Sequence, residues 1–245
     1  MAGWALPASH RRHFEGEGSH LARYARVFDA TEINSCFYRA HLRSTYARWA
    51  ASVPEGFRFS VKMPKWVTHE LRLVGTEAAL DAFIEQISGL GAKLGCVLVQ
   101  LPPSFAFEPT AASSFFAALR ERYDGDVAVE PRHPTWFAPA STSVLEGFRC
   151  ARVAADPARV PEAAQPGAWS GFAYWRLHGS PVMYRSSYAD AFLQQLAANL
   201  RARGKGEAAW CIFDNTMLGA ALANSLSLQA CVGYTLPLNP ELSTP

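Results

Sequence analysis

Seven apolar runs in this chain each close on polar residues, and the side chains gathered at those closures could do chemistry together. In chain order they are Glu32 and Asn34, then Lys62, Gln100, Glu130 with Arg132 and His133, Asp156, Arg176 with His178, and Asp214 with Asn215. Strands buried on both faces should be almost wholly apolar, so a polar residue at the end of every one needs a reason. Lys62, Arg132 and Arg176, joined by the amides of Asn34, Gln100 and Asn215, form a set suited to a phosphate or a carboxylate. Glu32 and Glu130 are candidates for proton transfer, tuned by those cations, with His178 or His133 as the partner acid or base. Tyr38, Trp66, Trp136, Tyr184 and Tyr188 could wall such a site, although each aromatic also fits plain packing.

The charged residues also have structural readings. Glu32 could pair with Lys62 on the neighbouring strand, and Glu130 with Arg132 or Arg176, because buried charges are usually matched. A buried strand-end lysine such as Lys62 could instead form a Schiff base with a carbonyl once desolvation lowers its pKa. The nearness of Glu32 favours a paired cation. Asp156, followed by Pro157, also fits the opening of a turn, and His10, His13, His20 and His69 read as surface or loop residues.

Three functions are compatible with the set. The leading one is an enzyme, of hydrolase, lyase or isomerase type, acting without a cofactor on a small anionic ligand such as a sugar phosphate, nucleotide fragment or carboxylate. The second adds a divalent metal held by Glu130, Asp156, His178 and Asp214, as in barrel isomerases and phosphodiesterases, with Arg132 and Arg176 arguing against it. The third is a non-catalytic module that binds single-stranded nucleic acid or a protein through the basic and aromatic rim. With 23 Lys plus Arg against 21 Asp plus Glu, the net charge of +2 disfavours the nucleic-acid version.

The elements that must position these residues alternate. Strand-like runs occupy 27–34, 57–64, 96–103, 127–132, 151–156, 173–179 and 210–215, with starts about 30 residues apart, the length of one strand-helix unit. Between them, 76–90 carries Leu80, Phe83, Ile84, Ile87 and Leu90 at helical spacing, and 189–203 carries Phe192, Leu193, Leu196 and Leu200 before Gly204. Helices are also expected at 19–28, 42–52, 111–123, 142–148 and 219–230. Parallel strands joined by right-handed helical crossovers make an open sheet or a barrel. The count and the 245 residues favour one TIM-like (β/α) barrel domain over 1–245, with a short or irregular first strand near Gly3 and Trp4. The strand ends would then converge on one rim.

A content of 49% hydrophobic and 18% charged residues excludes a disordered chain. The five cysteines are scattered and odd in number, with no CxxC spacing, which points to buried thiols in a reducing cytoplasm. No signal-peptide-like stretch and no apolar run of about 18 residues occurs, so no membrane association is expected. GxGxxG, GxxxxGK[ST], GxSxG and HExxH are all absent. Oligomeric state is not encoded in any of these features.

The segments EINSCFYR (32–39), GFRFSVKMPKWVTH (56–69), VLVQLPPSF (97–105), AVEPRHPTWF (128–137), RLHGSPVMYRSSY (176–188) and FDNTMLGAALANSL (213–226) together resemble the YecE-like family, domain of unknown function 72. The resemblance runs along nearly the whole chain and implies a TIM-like barrel, but no activity. Position by position it marks Glu32, Asn34, Phe37, Tyr38, Lys62, Gln100, Pro102, Glu130, Arg132, His133, Trp136, Arg176, His178, Gly179, Tyr184, Tyr188 and Asn215. Members of the family open on a strand resembling GTSGW, of which only Gly3-Trp4 is matched here. The expectation is a truncated or differently chosen start, which affects strand one and barrel closure.

Overall fold

The computed structural model describes residues 1–204 and 207–233. Its strands are β1 (Ala30–Ile33), β2 (Arg58–Lys62), β3 (Leu94–Gln100), β4 (Asp126–Glu130), β5 (Cys150–Arg152), β6 (Ala154–Asp156), β7 (Gly167–Ala168), β8 (Phe172–Leu177) and β9 (Ala208–Phe213). Its α-helices are α1 (His20–Tyr24), α2 (Arg43–Ala51), α3 (Glu77–Ile87), α4 (Pro109–Arg122), α5 (Pro139–Gly147), α6 (Asp190–Ala202) and α7 (Ala220–Val232). Each expected strand and helix has a counterpart, and the helices mostly begin or end within a few residues of the expected limits.

The fold is mixed α/β with predominantly parallel sheets. Instead of one continuous sheet, the strands pair as two, in the orders β1-β2-β3-β4-β5-β7 and β6-β8-β9. Among the described residues, only β5 with β7 is antiparallel. The run expected at 151–156 is therefore two strands. Val153 breaks it, donating its N–H to Val129 O at 2.9 Å, after which β6 pairs with β8. A two-residue strand such as β7 leaves no periodicity to read.

At the N-terminus, Glu32 N donates to Met1 O, Gly3 N donates to Glu32 O at 2.8 Å, and Ala2 N donates to Phe213 O at 2.9 Å. Met1–Gly3 thus bridges the ends of β1 and β9 as a vestigial strand.

The helices cover the sheets with single apolar faces. α3 buries Ala79, Leu80, Phe83 and Ile87, the large members stabilising by about 1.5–3 kcal/mol each. Glu108 caps α4, accepting from Thr110 N and Ala111 N, with Pro109 in the first turn where no N–H is missed. No helix among the described residues is long and apolar enough to cross a membrane.

Apolar side chains divide into two clusters. The larger lies between strands and helices. The smaller takes alternate strand residues: Cys96 and Leu98, Ala128, Ala151 and Val153, Phe172 and Tyr174, Trp210 and Ile212. Strand side chains alternate faces, so the residue two places on lies above its predecessor. Gln100, Glu130, Arg176 and Asp214 each stand two residues beyond a member of this cluster. The charged layer is stacked directly on the smaller apolar one.

Candidate active site

Arg176 lies at the centre of the charged layer. It is 0% exposed, as is Glu32. Its Nη2 donates to Glu32 Oε1 at 2.8 Å and its Nε to Glu32 Oε2 at 3.0 Å. Nη1 reaches Glu130 Oε2 at 3.1 Å, and Nη2 lies 3.0 Å from Asp214 Oδ2. The Tyr174 hydroxyl, two residues earlier on β8, lies 2.9 Å from Glu32 Oε2 and 2.9 Å from Ser60 Oγ. Donating to the carboxylate leaves it to accept from the serine. The expected Glu32–Lys62 pair is thus replaced by Glu32–Arg176. The arginine fork can meet both carboxylate oxygens at once, which a lysine point charge cannot.

His178 completes a ring. Its Nε2 lies 2.9 Å from Glu130 Oε1 and its Nδ1 3.0 Å from Asp214 Oδ2. The cycle runs Arg176, Glu130, His178, Asp214 and back to Arg176. A carboxylate on each ring nitrogen favours the form in which both nitrogens donate, the imidazolium. Burial alone would lower the His178 pKa, but the Glu130 charge and the bonds to Asp214 and Glu130 raise it above its usual value. Burial likewise pushes the Glu130 carboxyl up, yet His178, Arg132 and Arg176 together hold it well below the usual range. Asp214 is lowered in the same way, its burial outweighed by Arg176 and His178.

Arg132 and Lys62 flank the ring. Arg132 Nε and Nη2 both reach Glu130 Oε1 at 3.0 Å. Its Nη2 also lies 3.2 Å from His178 Nε2, so the two donors share one carboxylate oxygen. Lys62 has no carboxylate at ion-pair distance among the described residues. Its Nζ sits 3.8 Å from the Phe37 ring centroid. Burial, with Arg176 beside it, lowers the amine to about 8 against the pull of Glu32, Glu130 and Asp214. Gln100 is buried next to Glu130, its register partner on β4.

Two loops shape the approach. After β1, Phe37 ends a short 3-10 turn, and the one S–H of Cys36 is shared between Ile33 O at 3.2 Å and Lys62 O at 3.0 Å, at the ends of β1 and β2. After β8, Gly179 adopts φ 93, where a Cβ would come within 2.9 Å of Ser186 O. That turn lets Gly179 N donate to the Tyr188 hydroxyl at 2.8 Å and sets Tyr184 edge-on against His178, with ring centroids 5.8 Å apart.

Other expected site residues lie outside the network. Tyr188 donates to Asp156 Oδ1 at 2.8 Å, so both brace the β8 loop. Trp136 is fully buried and donates Nε1–H to Phe105 O, which makes it a packing residue. His133 accepts from Thr135 N and caps a turn. Tyr38 is 81% exposed and rests edge-on against Phe37 at the rim. Asn215 donates to Ser186 O and Asn224 Oδ1, holding the β8 loop. The Oδ1 atoms of Asn34 and Asn215 are buried without a partner.

The four residues weighed as a metal cage do not assemble as one. Asp156 is turned to Tyr188, while Glu130, His178 and Asp214 bond one another and two arginines. No cluster of three His, Cys, Asp or Glu among the described residues is arranged for a metal.

His69 corrects the loop reading. It lies on a π-helical turn, Trp66–Glu70, with its ring 5.0 Å from Phe37. Burial, then Lys62, Arg132 and Lys65, lower its pKa to about 4, leaving a neutral imidazole at the mouth. Tyr174 and Ser60 were also absent from the expected set, although each has the strand parity of the charged layer. A separate cavity of about 570 Å³ is lined by the start of β1, by the length of β9 and by α7.

The chain is similar to known proteins in sequence and in fold. The family model described as Protein of unknown function DUF72 matches residues 1–244. The UPF0759 protein YecE of Escherichia coli strain K12 is 30% identical over 119 residues, covering 48% of this chain and 43% of YecE. The UPF0759 protein YunF of Bacillus subtilis strain 168 is 27% identical over 125 residues, covering 49% and 44%. The chain therefore spans less than half the length of these curated relatives in the match. A DUF72 family protein of Enterococcus faecalis V583 has a similar fold, with a TM-score of 0.79 at 21% identity over 95% of each chain. Another, from Thermotoga maritima MSB8, gives 0.72 at 24% identity over 84% of this chain and 85% of that one. This chain belongs to the DUF72 family, whose function is unknown.

Proposed function

We propose that this chain is an enzyme that moves a proton on a small anionic substrate bound at the C-terminal ends of its strands. The observation that carries this reading is the ring of Arg176, Glu130, His178 and Asp214 with Arg132 and Lys62 beside it. Glu32, Glu130 and Asp214 supply three negative charges against Arg132, Arg176, Lys62 and a protonated His178. One positive charge is left over, which suits a phosphate, sulfonate or carboxylate group on the substrate. Arg132, partly exposed, receives the anion. Arg176 is enclosed and fixes Glu130 and Asp214. The Glu130–His178 pair carries the proton, with Asp214 holding the imidazole in place.

This reading uses a TIM-like barrel. The vestigial strand Met1–Gly3 bonded to both β1 and β9, the passage of 150–156 from one sheet to the other, and the single parity of the inner apolar cluster all favour closure. Strand-end active sites are the rule in such barrels. The five free thiols accord with the cytoplasm.

The test is binding followed by turnover. Isothermal titration of the protein with inorganic phosphate, sugar phosphates and short carboxylates should detect at least one ligand, and Arg132→Gln should weaken it about tenfold or more, as loss of a charge-assisted contact would. Binding unaffected by Arg132→Gln would overturn the assignment of the anion site. In hydrolase, lyase and isomerase screens, equal rates for the wild type and Glu130→Gln would end the proton-transfer role.

A further inference from the structure

We propose that Lys62 is a covalent nucleophile and that the substrate carries an aldehyde or ketone carbonyl beside its anionic group. This rests on the anion site proposed above and narrows the substrate class. Lys62 stands at the C-terminal end of β2, on the face of the charged layer, two residues beyond Ser60. Its expected partner is taken: both oxygens of Glu32 are bound by Arg176 and one also by Tyr174. Lys62 therefore meets the site as an amine over the Phe37 ring, with no carboxylate in contact among the described residues.

The three cations here are not equivalent. A guanidinium does not lose its proton in a protein, so Arg132 and Arg176 can only bind charge. Lys62 can become a neutral amine. Burial and the neighbouring Arg176 favour that form, bringing the amine to about 8, while the Phe37 face favours the charged form. Cys36 Sγ on Lys62 O anchors the backbone at Lys62, and the amine lies against the Phe37 ring.

The step balances without an oxidant or reductant. The neutral amine attacks the carbonyl carbon, and the carbonyl oxygen takes a proton from the Glu130–His178 pair to give a carbinolamine. The nitrogen loses one proton to water or to the neutral His69 imidazole. The hydroxyl then takes that proton back from the His69 imidazolium or from water and leaves as water, while the nitrogen lone pair forms the C=N bond. The product is an iminium that draws electrons from the adjacent carbon, whose C–H or C–C bond can then break. Water reverses the linkage and frees the lysine.

The test uses the full chain with pyridoxal phosphate, glyceraldehyde 3-phosphate, dihydroxyacetone phosphate, pyruvate and ribose 5-phosphate, each with borohydride, read by intact mass and peptide mapping. At least one probe should label Lys62 about tenfold faster than Lys65, which is paired with Glu70, or Lys93, whose Nζ is spent on Ala50 O and Val53 O, near neutral pH. Inorganic phosphate should protect it. Lys62→Met should lose the adduct while keeping its circular dichroism. No adduct on Lys62 with any probe, or labelling no faster than at Lys65 and Lys93, would overturn the proposal. Phosphate binding by titration separates the two readings: if it persists without an adduct, the anion site stands and the nucleophile falls, whereas loss of both removes the anion site as well.

Discussion

Arg176 and Glu32 lie 144 residues apart in sequence and meet through paired hydrogen bonds at 2.8 and 3.0 Å, with neither side chain exposed. The geometry gives the pair a different role from the rest of the charged layer. Both Glu32 oxygens are taken by Arg176, and one also by Tyr174, so Glu32 positions Arg176, and through it Glu130 and Asp214. Removal of one partner strands a buried charge. Glu32→Ala should destabilise the fold by about 3–5 kcal/mol in urea titrations. Replacement of both residues by apolar side chains of similar volume should recover part of that loss, because the isolated charge is then gone. A cost under about 1 kcal/mol for Glu32→Ala would mean that Arg176 is held by its other two carboxylates alone.

Stability should depend on pH from both sides. Glu130 and Asp214 titrate below their usual values in the folded chain, so their contribution is present above the unfolded values of 4.5 and 3.8 and is lost as pH falls through the folded ones. His178 titrates above its usual 6.5, so its contribution is complete below 6.5 and is lost as pH rises through the folded value. All three act together between 4.5 and 6.5. The ring's contribution to the urea midpoint should therefore be greatest there and smaller at about pH 3.5 and about pH 9, against the opposite slopes set by His69, lowered to about 4, and Lys62, lowered to about 8. In His178→Gln the alkaline decline should shrink. An unchanged alkaline limb would assign that decline to another group.

The strands and helices were legible because apolar spacing distinguishes a period of 2 from one of 3.6. The charged layer was legible for the same reason: Gln100, Glu130, Arg176 and Asp214 interrupt buried strands where nothing polar belongs. Partnerships were legible in part: Glu130, expected with Arg132 or Arg176, meets both. Glu32 and Lys62 sit on adjacent strands, but the partner of Glu32 comes from β8, and sequence distance carries no information about reach across an interior. Val153 hid a change of sheet inside one apolar run. His69 and Phe37 come from turns after strands, where no periodicity marks the face a side chain takes. Trp136 belongs to a polar-aromatic segment that looked like a site wall, yet its indole is spent on a backbone carbonyl.

That last residue gives a clean separation of packing from binding. Trp136 fills space beside Phe105 and Phe107 and donates to Phe105 O at 2.9 Å. Trp136→Phe leaves a smaller ring and an unpaired buried carbonyl, which should cost about 2–4 kcal/mol. The affinity of the folded fraction for phosphate should stay unchanged. A Trp136→Phe protein of normal stability but weakened binding would return the residue to the site.

The role of Asp214 can be read at a single proton. It contacts His178 Nδ1 at 3.0 Å and Arg176 Nη2 at 3.0 Å, so its charge supports the imidazolium from one side while Glu130 supports it from the other. In Asp214→Asn the amide keeps the shape and an oxygen that can accept from Nδ1, but the negative charge is gone. The titration of the His178 ring protons, followed by NMR, should move down by about one unit, the scale of a buried charge–imidazole contact. Proton transfer by the Glu130–His178 pair should then fall at neutral pH, as less of the ring is charged. Arg132→Gln should leave the titration higher than in the wild type or unchanged, since it removes a like charge. A His178 midpoint indifferent to Asp214→Asn would show that Glu130 alone holds the proton on the ring, and Asp214 would be left as a partner of Arg176.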